Sequence, residues 1–191
     1  MTRPPLTDAI VDDHQEMYDY YDKFKEATDA DTKERWSNQL RWEVARHAVG
    51  EEIVVYPLME QYLGAKGKEL ADEDRTQHQE VKELLYKLES LSAGTDEHNN
   101  TLQRVMAHLK PHNDSEETND LPPLEAALPE GASADAAARF KRTKKFVPTR
   151  AHPSAPNQPP LETMAGFLAA PIDKLLDAFA KFPTEEMKKS V

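Results

Sequence analysis

His47-Ala48-Val49-Gly50-Glu51-Glu52 returns 65 residues later as His112-Asn113-Asp114-Ser115-Glu116-Glu117. Both stretches read HxxxEE, and ten residues after each histidine comes a proline, Pro57 and Pro122. The echo runs on through Glu60 and Glu125, then Leu63 and Leu128. Upstream, His14-Gln15-Glu16 is matched by His78-Gln79-Glu80, and each is followed at the same distance by Lys23-Phe24 or Lys87-Leu88. A repeat of this kind is one supersecondary unit written twice. It predicts a helix hairpin and its copy, related by a rough two-fold.

Working outward, helical periodicity dominates the first 128 residues. Ile10, His14, Met17, Tyr21 and Phe24 share one face of a first helix, expected from a Thr7 cap to about Ala27. Leu40, Val44, His47, Glu51, Val54 and Leu58 mark the inner stripe of a second, from about Thr32 to Leu63, with Gly64 and Gly67 as its stop. The third, from about Leu70 to Leu91, turns His78, Val81, Leu85 and Leu88 inward. The fourth, from about Asp96 to Leu121, carries Leu102, Val105, Leu109, His112 and Glu116 on one face. Short turns between long helices favour an all-α, up-and-down antiparallel four-helix bundle over residues 1–128. Residues 129–191 form a C-terminal extension with one or two further helices, expected to pack across the bundle. It holds a basic stretch, Arg139 to Arg150, a proline-rich segment, His152 to Pro160, and a last apolar period, Leu161 to Phe182, that Pro171 should kink or interrupt.

In HxxxE, four residues turn a helix by about 400°, so histidine and glutamate lie one above the other. Here they lie on the apolar stripes. His14 and His78 occupy the stripes of the other two helices. Four inward imidazoles and two inward carboxylates then meet in one core, where each unpartnered polar group costs several kcal/mol. One resolution is a metal pair. Nitrogen and oxygen donors suit iron, with manganese possible, and the absence of cysteine removes thiolate sites, disulfides and cysteine nucleophiles together. The expected ligands are His14, His47, Glu51, His78, His112 and Glu116. Two bridging glutamates, two histidines per metal and a bridging oxygen leave one open position on each.

The order H…HxxxE…H…HxxxE over residues 7–128 resembles the hemerythrin-like, or HHE cation-binding, family. The tail, Thr149 to Pro156 with Ala169 to Leu175, is similar to that of fungal members. The resemblance implies a non-haem di-iron centre and reversible oxygen binding, oxygen or redox sensing, iron handling or oxidase chemistry. The chain departs from the oxygen-carrying hemerythrins, which place two histidines on the third helix. Here only His78 stands there, with Asp74 four residues before it and Lys82 four after. Pro111, directly before His112, should kink the fourth helix. In that event Glu117 is the substitute for Glu116.

Other residues receive plainer readings. Glu52 and Glu117, about 100° round from the ligands, are expected to face solvent or to back up the site. His108, four residues before His112 on nearly the same face, is read as a surface or supporting residue, with replacing or supplementing a ligand as the alternative. Tyr18, Tyr21, Tyr86, Trp36 and Trp42 are read as packing, and His98 and His152 as structural. Met59, Met106 and Met164 are too soft for so hard a donor set. A net charge of −11 argues against nucleic-acid partners. No stretch reads as a signal peptide or a membrane span, so the expectation is a cytoplasmic monomer or homodimer with no membrane partner. Its partner would be dioxygen or peroxide, for sensing, scavenging or iron handling. The alternative is a di-iron oxidase or oxygenase acting on a small organic substrate. An apolar pocket of roughly 300 Å³ or more, opening onto the metals and lined by the segment after Leu161, would favour the alternative, and a tightly packed core the first reading.

Overall fold

The computed structural model describes residues 2–158 and 160–189, the side chains of residues 162 and 163 excepted. Pro159, part of the proline-rich segment, lies outside the described residues.

Helix α1 is Pro5–Glu26, with proline at its first position, where a missing N–H costs nothing. The expected Thr7 cap is corrected. Thr7 lies inside the first turn, and its N–H and hydroxyl both donate to Glu125 Oε1 at 3.0 Å. Helix α2 starts behind a true cap, Asp29, whose carboxylate accepts from Thr32 N at 2.9 Å. It runs Ala30–Leu88, broken at Gly64.

Gly64 has φ 60° and ψ −131°, a conformation open in practice only to glycine. The chain reverses there and is helical again at once, so the third bundle helix begins about five residues earlier than the periodicity predicts. The two arms of α2, 30–63 and 65–88, are the second and third helices of the bundle. Gly67 is in the sequence for contact. A Cβ there would lie 1.9 Å from the Met59 carbonyl oxygen, so only glycine lets the returning arm close.

Helix α3, Asp96–Ser115, is capped by Thr95 and passes Pro111 without a break. The irregularity expected at Pro111 comes instead at Glu116–Asp120, a π-helical turn, followed by α4, Leu121–Ala127. The cause is downstream. Pro122 and Pro123 have no N–H to return to the preceding turn, and the Leu121 N–H reaches back to Glu116 O. Helix α5, Ala132–Thr143, packs on α1 and α2. Helix α6, Leu161–Asp177, contains Pro171 without interruption, and α7 is Glu185–Lys189. Residues 181 and 182 tie back to the start of α2 through Arg35 and Asn38.

The core divides in two. Met17, Phe24, Leu40, Val44, Leu85 and Leu102 belong to one apolar cluster. Leu6, Ile10, Val54, Met59, Leu121 and Leu124 belong to another. On every bundle helix the chain passes from one cluster to the other across a polar layer. That layer holds the histidines and glutamates of the repeat.

Candidate metal centre

The structure brings all six residues together. His14 comes from α1, His47 and Glu51 from the first arm of α2, His78 from the second arm, His112 from α3 and Glu116 from the head of the π turn. All are buried. Nε2 of His14 lies 3.1 Å from Nε2 of His47, and Nε2 of His78 lies 3.1 Å from Nε2 of His112. Both pairs have ring centroids 4.8 Å apart and cross at 64° and 70°, as two-fold copies should.

The other ring nitrogens explain this orientation. His14 Nδ1 donates to Glu117 Oε1 at 2.8 Å and His47 Nδ1 to Asp13 Oδ2 at 3.0 Å. His78 Nδ1 donates to Glu52 Oε1 at 3.1 Å and His112 Nδ1 to Gln77 Oε1 at 2.8 Å. With Nδ1–H so engaged, each ring in its neutral form presents the lone pair of Nε2 to the centre. The repeat now gains meaning. The residue before each first histidine, Asp13 or Gln77, holds the second histidine of its own hairpin. The residue after each glutamate, Glu52 or Glu117, holds the first histidine of the other hairpin.

Glu51 lies between the pairs. Its Oε1 is 2.9 Å from His47 Nε2, and its Oε2 is 3.4 Å from His78 Nε2. Glu116 Oε2 is 3.5 Å from His14 Nε2. None of the four oxygens of Glu51 and Glu116 has a partner in hydrogen-bonding geometry, although all are buried. Two donor groups result, His14, His47, Glu51 and Glu116 in one and Glu51, His78 and His112 in the other, each with its atoms within 4.8 Å of one another. Buried carboxylate oxygens left without hydrogen bonds, facing bare imidazole nitrogens, are what a cation needs.

The electrostatics of the side chains alone are strongly split. Burial opposes charge on His47, but the Glu51 carboxylate and the Asp13 hydrogen bond outweigh it and raise its pKa to about 9. Burial also pushes Glu51 up, yet His47, then His78 and His14, draw it below the usual carboxylate range. Burial and the adjacent Glu51 push Glu116 well above that range. Burial, reinforced by His78, lowers His112 to about 3.

Residues 6–124 match the family model described as hemerythrin HHE cation binding domain. The chain belongs to this hemerythrin-like family. An uncharacterized hemerythrin-like protein of Schizosaccharomyces pombe is 54% identical over 183 residues, which cover 96% of this chain and 89% of that protein. No solved structure matches the chain.

Around this hemerythrin-like site, Lys82 and Asp74, the two positions flanking His78 by one turn, both turn inward. Lys82 Nζ bonds both oxygens of Glu52 at 2.6 and 2.7 Å, and Asp74 Oδ1 lies 3.6 Å from His112 Nδ1. On the opposite side Lys144, just past α5, bonds Asp13 and Glu43. Tyr56, fully buried, places its hydroxyl 3.2 Å from His78 Nε2. Sequence reading passed over Tyr56, Asp13, Gln77 and Lys144. Asp13 and Gln77 were legible, since each stands directly before a matched histidine. His108 stays at the surface, paired with Glu80 at 3.1 Å. Tyr86 is 59% exposed and so is no core residue, which corrects its reading as packing.

Proposed function

We propose that this core holds two iron ions through His14, His47, Glu51, His78, His112 and Glu116, and that the protein binds or reacts with dioxygen or peroxide, in sensing, scavenging or iron handling. The observation that carries the reading is Glu51, one carboxylate whose two oxygens face two separate histidine pairs. Iron ions held there would supply electrons to a small oxygen species. The chain supplies the rest. Asp13, Glu52, Gln77 and Glu117 fix the imidazoles before any ion arrives. The apolar clusters above and below exclude water. Tyr56, kept protonated far above neutral pH by burial and by the Glu51 charge, offers an O–H beside His78. Manganese suits the same donors, and elemental analysis of protein as isolated distinguishes the two.

One observation favours the alternative of an oxidase or oxygenase with an organic substrate. A pocket of about 400 Å³ is lined by Ala45, Val49, Lys82 and Tyr86 from the bundle and by Ala165 and Ala169 from α6. Its size suits a small molecule. None of the six donor residues lines it, however, and the Lys82–Glu52 pair stands between it and His78. This geometry suits a species small enough to need no pocket of its own.

Anaerobic reconstitution with ferrous iron, followed by optical spectra before and after oxygen, tests the reading. Uptake of two irons per chain and a new charge-transfer band on adding oxygen are expected. A chain that folds normally but takes up no iron sinks it. Rapid decay of the band with continued oxygen consumption shifts the assignment to the oxidase.

A further inference from the structure

Helix α6 packs the wrong way round for a surface helix. Its buried face is small and polar: Gly166, Ala170 and Asp173. The Asp173 carboxylate accepts from the backbone N–H groups of Thr149 and Arg150 at 3.1 Å and lies 3.0 Å from His152 Nε2, so the helix is pinned by this side. The large apolar residues point away. Leu161, Met164, Leu168, Ile172, Leu175 and Phe179 are 62–84% exposed. Their steps of three and four residues draw one stripe along the helix and into the turn that follows it, the stripe an ordinary amphipathic helix buries. Phe167 and Phe146, also exposed, widen it. Isolated exposed apolar residues are common on proteins; a continuous face of this size marks a contact surface.

We infer that this face docks on an anionic membrane surface, with α6 lying in the interface plane and its apolar stripe among the lipid chains. A helix held to the protein by small residues while its large apolar face is free has the arrangement of an interfacial anchor. The expectation of no membrane partner rested on the lack of a spanning segment. No described helix is long and apolar enough to cross a membrane, but a helix lying flat has no such requirement.

Charge selects the occupant. Arg142 lines a recess with Phe146 and Phe167 at one edge of the stripe. Lys174 donates to the Lys145 carbonyl and holds its ammonium 5.8 Å from the Phe146 ring centre. Arg142, Lys145 and Lys174 are exposed, and among the described residues none is in an ion pair. The chain as a whole carries −11, so this edge is positive against the general charge. An anionic lipid surface attracts this edge and repels the rest, which fixes the orientation. A second copy of the chain fits less well. It would bring the same cations to the same rim, and the described stripe residues include no carboxylate to meet them.

Sedimentation of the full chain with vesicles tests this. Vesicles of phosphatidylcholine mixed with phosphatidylserine should pellet the protein, and vesicles of phosphatidylcholine alone should do so weakly. Arg142→Gln, Lys145→Gln and Lys174→Gln should each weaken binding about fivefold. Leu168→Glu with Ile172→Glu should abolish it. All five positions are exposed, so an unchanged thermal melt will show the variants folded. Failure of the wild-type chain to bind mixed vesicles overturns the inference, as does binding indifferent to these substitutions. A solution dimer that Leu168→Glu with Ile172→Glu dissociates, with no vesicle affinity, assigns the face to a second copy instead.

Discussion

Lys82 Nζ and the Glu52 carboxylate form a buried ion pair directly behind His78, with the ammonium 2.6 and 2.7 Å from the two oxygens. Lys144 and Asp13 repeat the arrangement behind His47. Each lysine neutralises the carboxylate that orients a histidine. The ring-holding carboxylates Glu52 and Asp13 are thus balanced by lysine, while Glu51 and Glu116, whose oxygens have no hydrogen-bond partner, face the centre directly.

A buried pair is exposed by breaking it on one side. Removing one partner strands a charge in the core and costs about 3–5 kcal/mol, whereas removing both costs much less. Lys82→Met in chelator-treated protein should lose about that amount in urea unfolding. Glu52→Gln with Lys82→Met should lose less than Lys82→Met alone. If the double variant is the weaker, the pair is not a self-compensating unit.

How much of this was legible beforehand follows from what a repeat can encode. The donor residues stood out because HxxxE fixes two side chains on one helical face, whatever the surroundings. Glu52 and Glu117 were ambiguous, because a residue 100° off the stripe faces either solvent or a neighbouring helix, and only the crossing of the hairpins decides. The irregularity in the fourth helix was expected at Pro111 and falls at Glu116–Asp120 because Pro111 and Pro122 each remove a backbone donor, and sequence alone does not say which loss the fold absorbs. The apolar period of α6 was readable as a helix but not as an exposed one. Periodicity gives the stripe and leaves open what covers it.

Gly50 carries a consequence for the site. A Cβ there would sit 2.9 Å from Cε2 of Phe140, a fully buried ring that meets His47 edge-on at 5.7 Å. The ring has no room to retreat. Gly50→Ala should push α5 outward and cost about 1–3 kcal/mol by overpacking, seen as a lower midpoint in thermal melts. Because Lys144 follows α5, the same variant should loosen Asp13 and His47. An unchanged melting temperature would show that α5 is not seated as described.

His98 makes acid sensitivity measurable away from the centre. Burial lowers its pKa to about 4, with the Arg41 and Lys33 charges adding to the effect, and its Nε2 lies 3.0 Å from the Ser37 hydroxyl. The unfolded chain takes a proton on this ring near pH 6.5, while the folded chain refuses it until about pH 4. Stability is therefore unaffected above pH 6.5 and declines as pH falls through that window, by about 3 kcal/mol at most. Comparing wild type with His98→Asn by urea unfolding from pH 7 to 4 isolates this share. The difference between the two should shrink steadily as pH falls. A constant difference would mean that His98 does not titrate as described.

The two central carboxylates are not equivalent, and metal content should reveal it. Glu51 belongs to both donor groups, with one oxygen facing each histidine pair, whereas Glu116 belongs only to the group of His14 and His47. Glu51→Ala removes a donor from both groups. It leaves His78 and His112 with no carboxylate within reach in their group, so retention of either ion is disfavoured. Glu116→Ala leaves the second group intact and the first with three donors, His14, His47 and Glu51. Elemental analysis after reconstitution with iron should therefore find near-complete loss in Glu51→Ala and more than half the wild-type content in Glu116→Ala. His47→Ala, which strips one nitrogen from the first group only, should fall between them. Clean retention of one ion per chain by Glu51→Ala would show that this carboxylate does not join the two groups.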